Sequence, residues 1–299
     1  MKKFALMLAL LMTMGFAAVG CTTNEAPAPA APEASEESTG NDIDFSRMIQ
    51  IRGSDTMVNL GQRWAEEFMD KYEEAQLAVT GGGSGTGIAA MINGTIDIAM
   101  SSRAIKDQEI EDAKANGVEV VEFITGRDGI AVVVSNENPV GELTMQDLMD
   151  IFTGAKTNWS EFGGNDAPIT LYSRESNSGT YQFFKEFVLK DEEYATSSNL
   201  MPSTQAIVEA IKQDVNGIGY IGLAYLSDEI KDIAVSKEAG APAVSPSLET
   251  VKAGDYPVAR PLFLYTSGEP QGAVKEFMDF VMGAEGQFIV EDIGFIPVK

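Results

Sequence analysis

The sequence predicts an α/β protein of two doubly wound domains joined by a two-segment hinge. Three observations carry that expectation. Short apolar strands alternate with amphipathic helices from residue 48 onward, the alternation restarts after Gly129, and one strand with two helical stretches is left over beyond Pro257. With no partner nearby in sequence, the leftover piece is expected to return to the first unit. The first domain is then 46–127 plus 259–299 and the second is 128–258. The chain crosses near 127–129 and 258–261, and a ligand cleft lies between the domains.

In chain order, Lys2 and Lys3 precede an apolar run at 4–19 that closes on Ala18, Val19, Gly20 and Cys21. A basic start, a short apolar stretch and small residues before a lone cysteine read as a signal peptide of residues 1–20. The run has 16 residues, short of the ~20 that a spanning helix needs. Cys21 directly after Gly20 resembles the lipobox of bacterial lipoproteins, which implies an acylated thiol. Residues 22–44 are rich in Ala, Pro, Glu, Ser and Thr and carry six acids and no bases. The segment 21–45 therefore reads as the lipidated cysteine and a self-repelling, disordered tether. An exported protein, anchored by lipid to the outer face of the cell membrane or held in the periplasm, is expected.

In the first unit, strands are expected at 48–51, 77–79 and 96–100 and helices at 58–72 and 88–92. In the second, strands are expected at 130–134, 169–172 and 218–221 and helices at 145–152, 181–189 and 203–212. The terminal piece supplies a strand at 262–265 and helices at 271–282 and 285–292. Trp64, Trp159 and the aromatics around Phe184 and Phe277 suit packing, while Asp147, Asp150 and Glu161 read as solvated acids.

Bulk properties narrow the function. An apolar fraction of 44% over 299 residues supports two packed domains. The formal charge is −24, and leaving out Lys2, Lys3 and the six tether acids brings it to −20. Such a surface repels nucleic acid, so no nucleic-acid partner is expected. Histidine is absent, which removes the Ser-His-Asp triad, the Cys-His pair and the HExxH zinc site. No catalytic residue, cofactor or metal is expected, and a phosphoester hydrolase using Ser178 or Ser84 as nucleophile is disfavoured because no activating base or lysine accompanies either serine.

Three strand-to-helix turns share one chemistry. They are Gly53-Ser54-Asp55-Thr56-Met57, Gly81-Gly82-Gly83-Ser84-Gly85-Thr86-Gly87 and Arg174-Glu175-Ser176-Asn177-Ser178-Gly179-Thr180. Hydroxyls suit helix N-caps, glycine lets a backbone approach a ligand, and helix N-termini attract anions. Each turn alone is ordinary capping chemistry; three together, one with a guanidinium, point to a tetrahedral anion held at the carboxyl edges of the sheets. The glycine run is no P-loop, since Ile88 follows Gly87 where lysine is required.

At these turns the chain resembles the phosphate-binding receptors of bacterial phosphate ABC transporters, a resemblance that runs over 47–299. It implies a type II periplasmic binding protein fold that closes on inorganic phosphate. It also implies delivery to ABC permease subunits, and a monomer is expected. The implied contacts are Thr56 and Met57, Ser84, Ser102, and Arg174 with Ser178, Gly179 and Thr180; Asp55, Arg103 and Gly85 are additional candidates. The family's acidic residue falls at Ser102. The choice of phosphate over sulfate, molybdate or a phosphonate is therefore open, as is a surface-anchored phosphate sensor. Asp55 is the nearest remaining acid for discriminating among anions.

Overall fold

The structure, a computed structural model, describes residues 43–298. Cys21, the signal peptide and nearly all of the tether lie outside the described residues. Strand β1 is Ile49–Gly53, followed through a short 3-10 turn at Asp55–Met57 by helix α1, Val58–Lys71. Then come β2 (Leu77–Thr80), α2 (Ser84–Ile92), β3 (Ile98–Ser101), α3 (Asp107–Ala115) and β4 (Val120–Val134). The middle of the chain forms β5 (Glu142–Thr144), α4 (Met145–Thr153), β6 (Thr170–Arg174), α5 (Gly179–Phe187), β7 (Asn199–Met201), α6 (Thr204–Gln213) and β8 (Gly217–Gly222). Strands β9 (Lys231–Asp232) and β10 (Ala234–Ser236), helix α7 (Leu248–Ala253), strand β11 (Ala259–Ser267), and helices α8 (Gly272–Met282) and α9 (Ala284–Asp292) complete it.

The main sheet runs β2-β1-β3-β11-β4-β8-β6-β7, with β9 added on β4. Strands β1, β2 and β3 are mutually parallel, and β6 is parallel to β8 and β7. Their carboxyl ends therefore gather at shared edges, where open α/β sheets place ligands. Strand β4 joins the two halves. Its residues 120–129 pair antiparallel with β11, and Ile130–Val134 pair antiparallel with β8.

Both faces of each half are covered. Ile130, Val132 and Val134 face one cluster with Phe152, Trp159 and Phe184, while Ala131 and Val133 face another with Ile207 and Ile211. In the first half Ile98 and Met100 pack with Trp64 and Phe68, and Ala99 packs with Ile88 and Met91. That is the period-two alternation of a strand buried on both sides. The terminal helices pack on α1: Phe68 meets Phe277 edge-on at 5.3 Å, and the Trp64 indole N–H donates to the Gly286 carbonyl at 2.9 Å.

The sequence underreads β4 as 130–134. Glu122, Arg127 and Asp128 interrupt the apolar run; Glu122 and Arg127 are exposed, and the buried Asp128 is made admissible by its partner. Tyr265 lies opposite Glu122 and donates its hydroxyl to that carboxylate at 2.9 Å, and Arg260 lies opposite Asp128. Where crossovers are expected, the chain is paired strand, with Ala259, Arg260 and Pro261 opposite Gly129, Asp128 and Arg127.

Candidate functional site

The three turns meet. Gly179, first residue of α5, sits against the first half so closely that a Cβ on it would lie 2.2 Å from Ser84 Oγ and 2.7 Å from Ser102 Oγ. The neighbouring Asn177 extends the contact: its side-chain amide donates to the Gly82 carbonyl at 3.0 Å, and its own carbonyl accepts from the Gly85 N–H at 3.0 Å. Gly83 caps α2 at φ +90°, and a Cβ there would meet the Asn177 carbonyl at 2.7 Å. Only glycine satisfies both the dihedral and the approach.

The serines of the turns divide their labour. Ser178 is a true N-cap, accepting from the Thr180 and Tyr181 N–H groups at 3.2 and 3.4 Å. Ser54 makes no side-chain cap, and Ser84 lies inside α2 with Gly83 as the cap. Their hydroxyls are directed instead into a buried cluster. Ser54 donates to Ser102 Oγ at 2.9 Å, Ser102 Oγ lies 3.4 Å from Ser84 Oγ, and the Ser102 N–H donates to Ser84 at 3.1 Å. Thr56 and Thr180 bond hydroxyl to hydroxyl at 2.9 Å across the two halves. Two hydroxyls sharing one bond, or three sharing two, leave one O–H over in each chain as a donor.

Two arginine–aspartate pairs flank the cluster, one partly buried at Asp55 and one fully buried. Arg174 Nη2 donates to Asp55 Oδ2 at 2.6 Å, bridging β6 to the first turn. The same guanidinium donates to Thr204 Oγ1 at 3.1 Å and to the carbonyls of Met201 and Pro202. Asp55 is equally committed, since Oδ1 accepts from the Gly82 N–H at 3.0 Å and its carbonyl accepts from the Tyr225 hydroxyl at 2.9 Å. Burial, with the Asp55 charge adding to it, pushes the Tyr225 phenol up to about 12. The second pair joins Arg260 Nη2 to Asp128 Oδ2 at 3.1 Å, and the same nitrogen donates to Thr180 Oγ1 at 2.9 Å.

Of the residues expected from sequence, Thr56, Ser84, Ser102, Ser178, Gly179 and Thr180 are brought together and buried. Arg174 and Asp55 adjoin them as an ion pair. Met57 is fully buried among Leu60, Trp64 and Phe68, so only its backbone is available. Arg103 is turned to Glu109, which accepts from both terminal nitrogens at 2.8 and 2.6 Å, and Gly85 reaches Asn177. Sequence reasoning passes over Ser54 as a site residue, Asn177, Asp128 and Arg260. For the last two the available signal is an Arg-Asp-Gly break at 127–129 and an arginine beside a proline in an otherwise apolar strand.

The cluster is a set of hydroxyl and backbone donors without a histidine base. A model of the PBP superfamily domain matches residues 25–285. The chain is 33% identical over 299 residues to the phosphate-binding protein PstS of Bacillus subtilis, covering 100% of this chain and 95% of that one. It is 32% identical over 311 residues to PstS of Pseudomonas aeruginosa, covering 97% and 94%. Among solved structures, a substrate-binding protein with bound phosphate from Clostridium perfringens aligns at a TM-score of 0.77 with 34% identity, covering 85% of this chain and 100% of that one. An ABC-type phosphate transport receptor from Vibrio cholerae aligns at 0.68 with 27% identity, covering 83% and 99%.

Proposed function

The chain belongs to the PBP superfamily and, within it, to the PstS phosphate-binding proteins, and from that premise we propose that it captures inorganic phosphate outside the cytoplasm and hands it to an ABC permease. Capture without catalysis is the reading, since the cluster offers donors and no base. The observation that carries it is the seat of Gly179 on Ser84 and Ser102, which gathers hydroxyls and helix starts from both halves around one buried point.

The energetics suffice. A charge-assisted hydrogen bond contributes about 1.5–3 kcal/mol net, and micromolar affinity requires ~8 kcal/mol. Several such bonds from Thr56, Ser84, Ser102, Ser178 and Thr180, with Arg174 near them, reach that figure after association costs. Residues 46–127 with 259–299 and residues 128–258 act as the two closing lobes, with the paired crossover strands as hinge. Cys21 acts as the lipid anchor.

Calorimetric titration of the purified protein with phosphate, sulfate, molybdate and a phosphonate tests the reading. Phosphate is expected to bind at micromolar Kd or tighter. Failure of every tetrahedral anion to bind overturns anion capture, and equal affinity for sulfate overturns the assignment to phosphate.

A further inference from the structure

Arg260 is a cation for which the anion-capture reading above has no task. It lies in β11 opposite Asp128 of β4, with its side chain 1% exposed. Nη2 makes all its side-chain hydrogen bonds, to Asp128 Oδ2 and to Thr180 Oγ1. Nε and Nη1 are buried and have no hydrogen-bond partner among the described residues. The Phe183 ring, 5.5 Å from the guanidinium carbon, supplies a π face but no lone pair.

A buried guanidinium with two idle nitrogens is costly unless something accepts from them. Arg174 offers the contrast, since its Nε and both terminal nitrogens already donate to Asp55, Thr204 and two carbonyls. Arg260 also stands one hydroxyl away from the cluster, because the Thr180 oxygen that accepts from it is bonded to Thr56. Thr180 in turn lies in the first turn of α5, beside Gly179 on its seat over Ser84 and Ser102.

We propose that Arg260 is an anion-binding residue of this site, meeting the captured oxyanion with its idle nitrogens, while Asp128 holds the guanidinium in place and offsets its charge before capture. The proposal rests on the reading of the site as a phosphate receptor. The charged groups facing Arg260 are Asp128 on β4, Arg174 at the end of β6 and, beyond Arg174, Asp55.

The test compares phosphate binding by calorimetry in the wild type, Asp128→Asn, Arg260→Gln and the double variant. The double variant replaces the buried ion pair with two amides and so keeps the question answerable if Arg260→Gln alone leaves Asp128 unpaired and fails to fold. Circular dichroism checks that each variant is folded. Adding Arg260→Gln to the Asp128→Asn background is expected to weaken phosphate by on the order of 10- to 100-fold. The loss should be larger at a pH above the second ionisation of phosphate than below it, because a missing cation penalises the dianion more. Both proteins in that comparison lack Asp128, so its titration does not enter. A double variant that binds phosphate as tightly as Asp128→Asn overturns the proposal and leaves Arg260 as the partner of Asp128 alone. A loss equal at the two pH values also overturns it, since that marks a distorted site instead of a missing charge. A wild type that binds no phosphate defeats the receptor reading itself, and the proposal with it.

Discussion

At the scale of single residues, Gly179 is the glycine on which the meeting of the turns depends. A methyl group there would overlap Ser84 Oγ at 2.2 Å and Ser102 Oγ at 2.7 Å, and both hydroxyls sit on short side chains fixed in buried turns. The position is the first of α5, where alanine is a better helix former than glycine. Gly179→Ala should therefore leave the melting temperature within a few degrees of wild type while cutting phosphate affinity by about 100-fold or more, because the lobes cannot seat. Calorimetry with a thermal melt on the same sample reads both; wild-type affinity would show that the close approach is not needed for capture. Most of these residues were legible in the sequence, because a strand-to-helix turn built of Gly, Ser and Thr announces itself locally. Arg260 and Asp128 were not, since they are 132 positions apart and come together only through the register of β4 on β11.

Elements were legible in proportion to how far one apolar period describes them. Helices α1, α4, α6 and α8 fall within a residue or two of their expected bounds, whereas β4, with 15 residues, is about three times as long as the strand its apolar run supports. Charged residues along it hide such a strand, Glu122 and Arg127 because they face solvent and Asp128, the deepest of them, because it is paired across the strand. Burial lifts its carboxyl to about 6, against the opposing pull of Arg260 and of the Leu223 N–H that donates to Oδ1 at 3.1 Å. An acid whose value is raised on folding binds its proton more tightly in the native state. It therefore stabilises the fold fully below the ordinary value of 3.8, and that contribution is lost as pH rises through about 6. Asp128→Asn should lower stability overall, because Arg260 loses a charged acceptor, yet it should also flatten this fall. Urea unfolding across the same window checks the slope; an unchanged slope in the variant would assign the proton to another group.

The whole molecule was legible at its coarsest, as two runs of alternating strands and helices with a terminal piece that returns to α1, because alternation and connectivity are sequence properties. The balance of charge was equally open to reading, and it poses a question of rate. The chain carries −24 overall, and its ligand is an anion. Affinity is decided in the buried cluster, where hydroxyls and helix starts gather beside Arg174 and Arg260 and salt reaches them poorly. Encounter is decided outside, where the surface potential extends over a Debye length of about 30 Å at 0.01 M salt and about 8 Å at 0.15 M. The association rate for phosphate should therefore rise a few-fold over that range as screening removes the repulsion, with the dissociation rate nearly constant. Stopped-flow binding at constant pH separates the two rates. An association rate that falls with salt would instead locate an attractive field at the mouth of the cleft, where the exposed Arg52 lies beside Gly82 and Lys106 reaches Gln182 and Glu186.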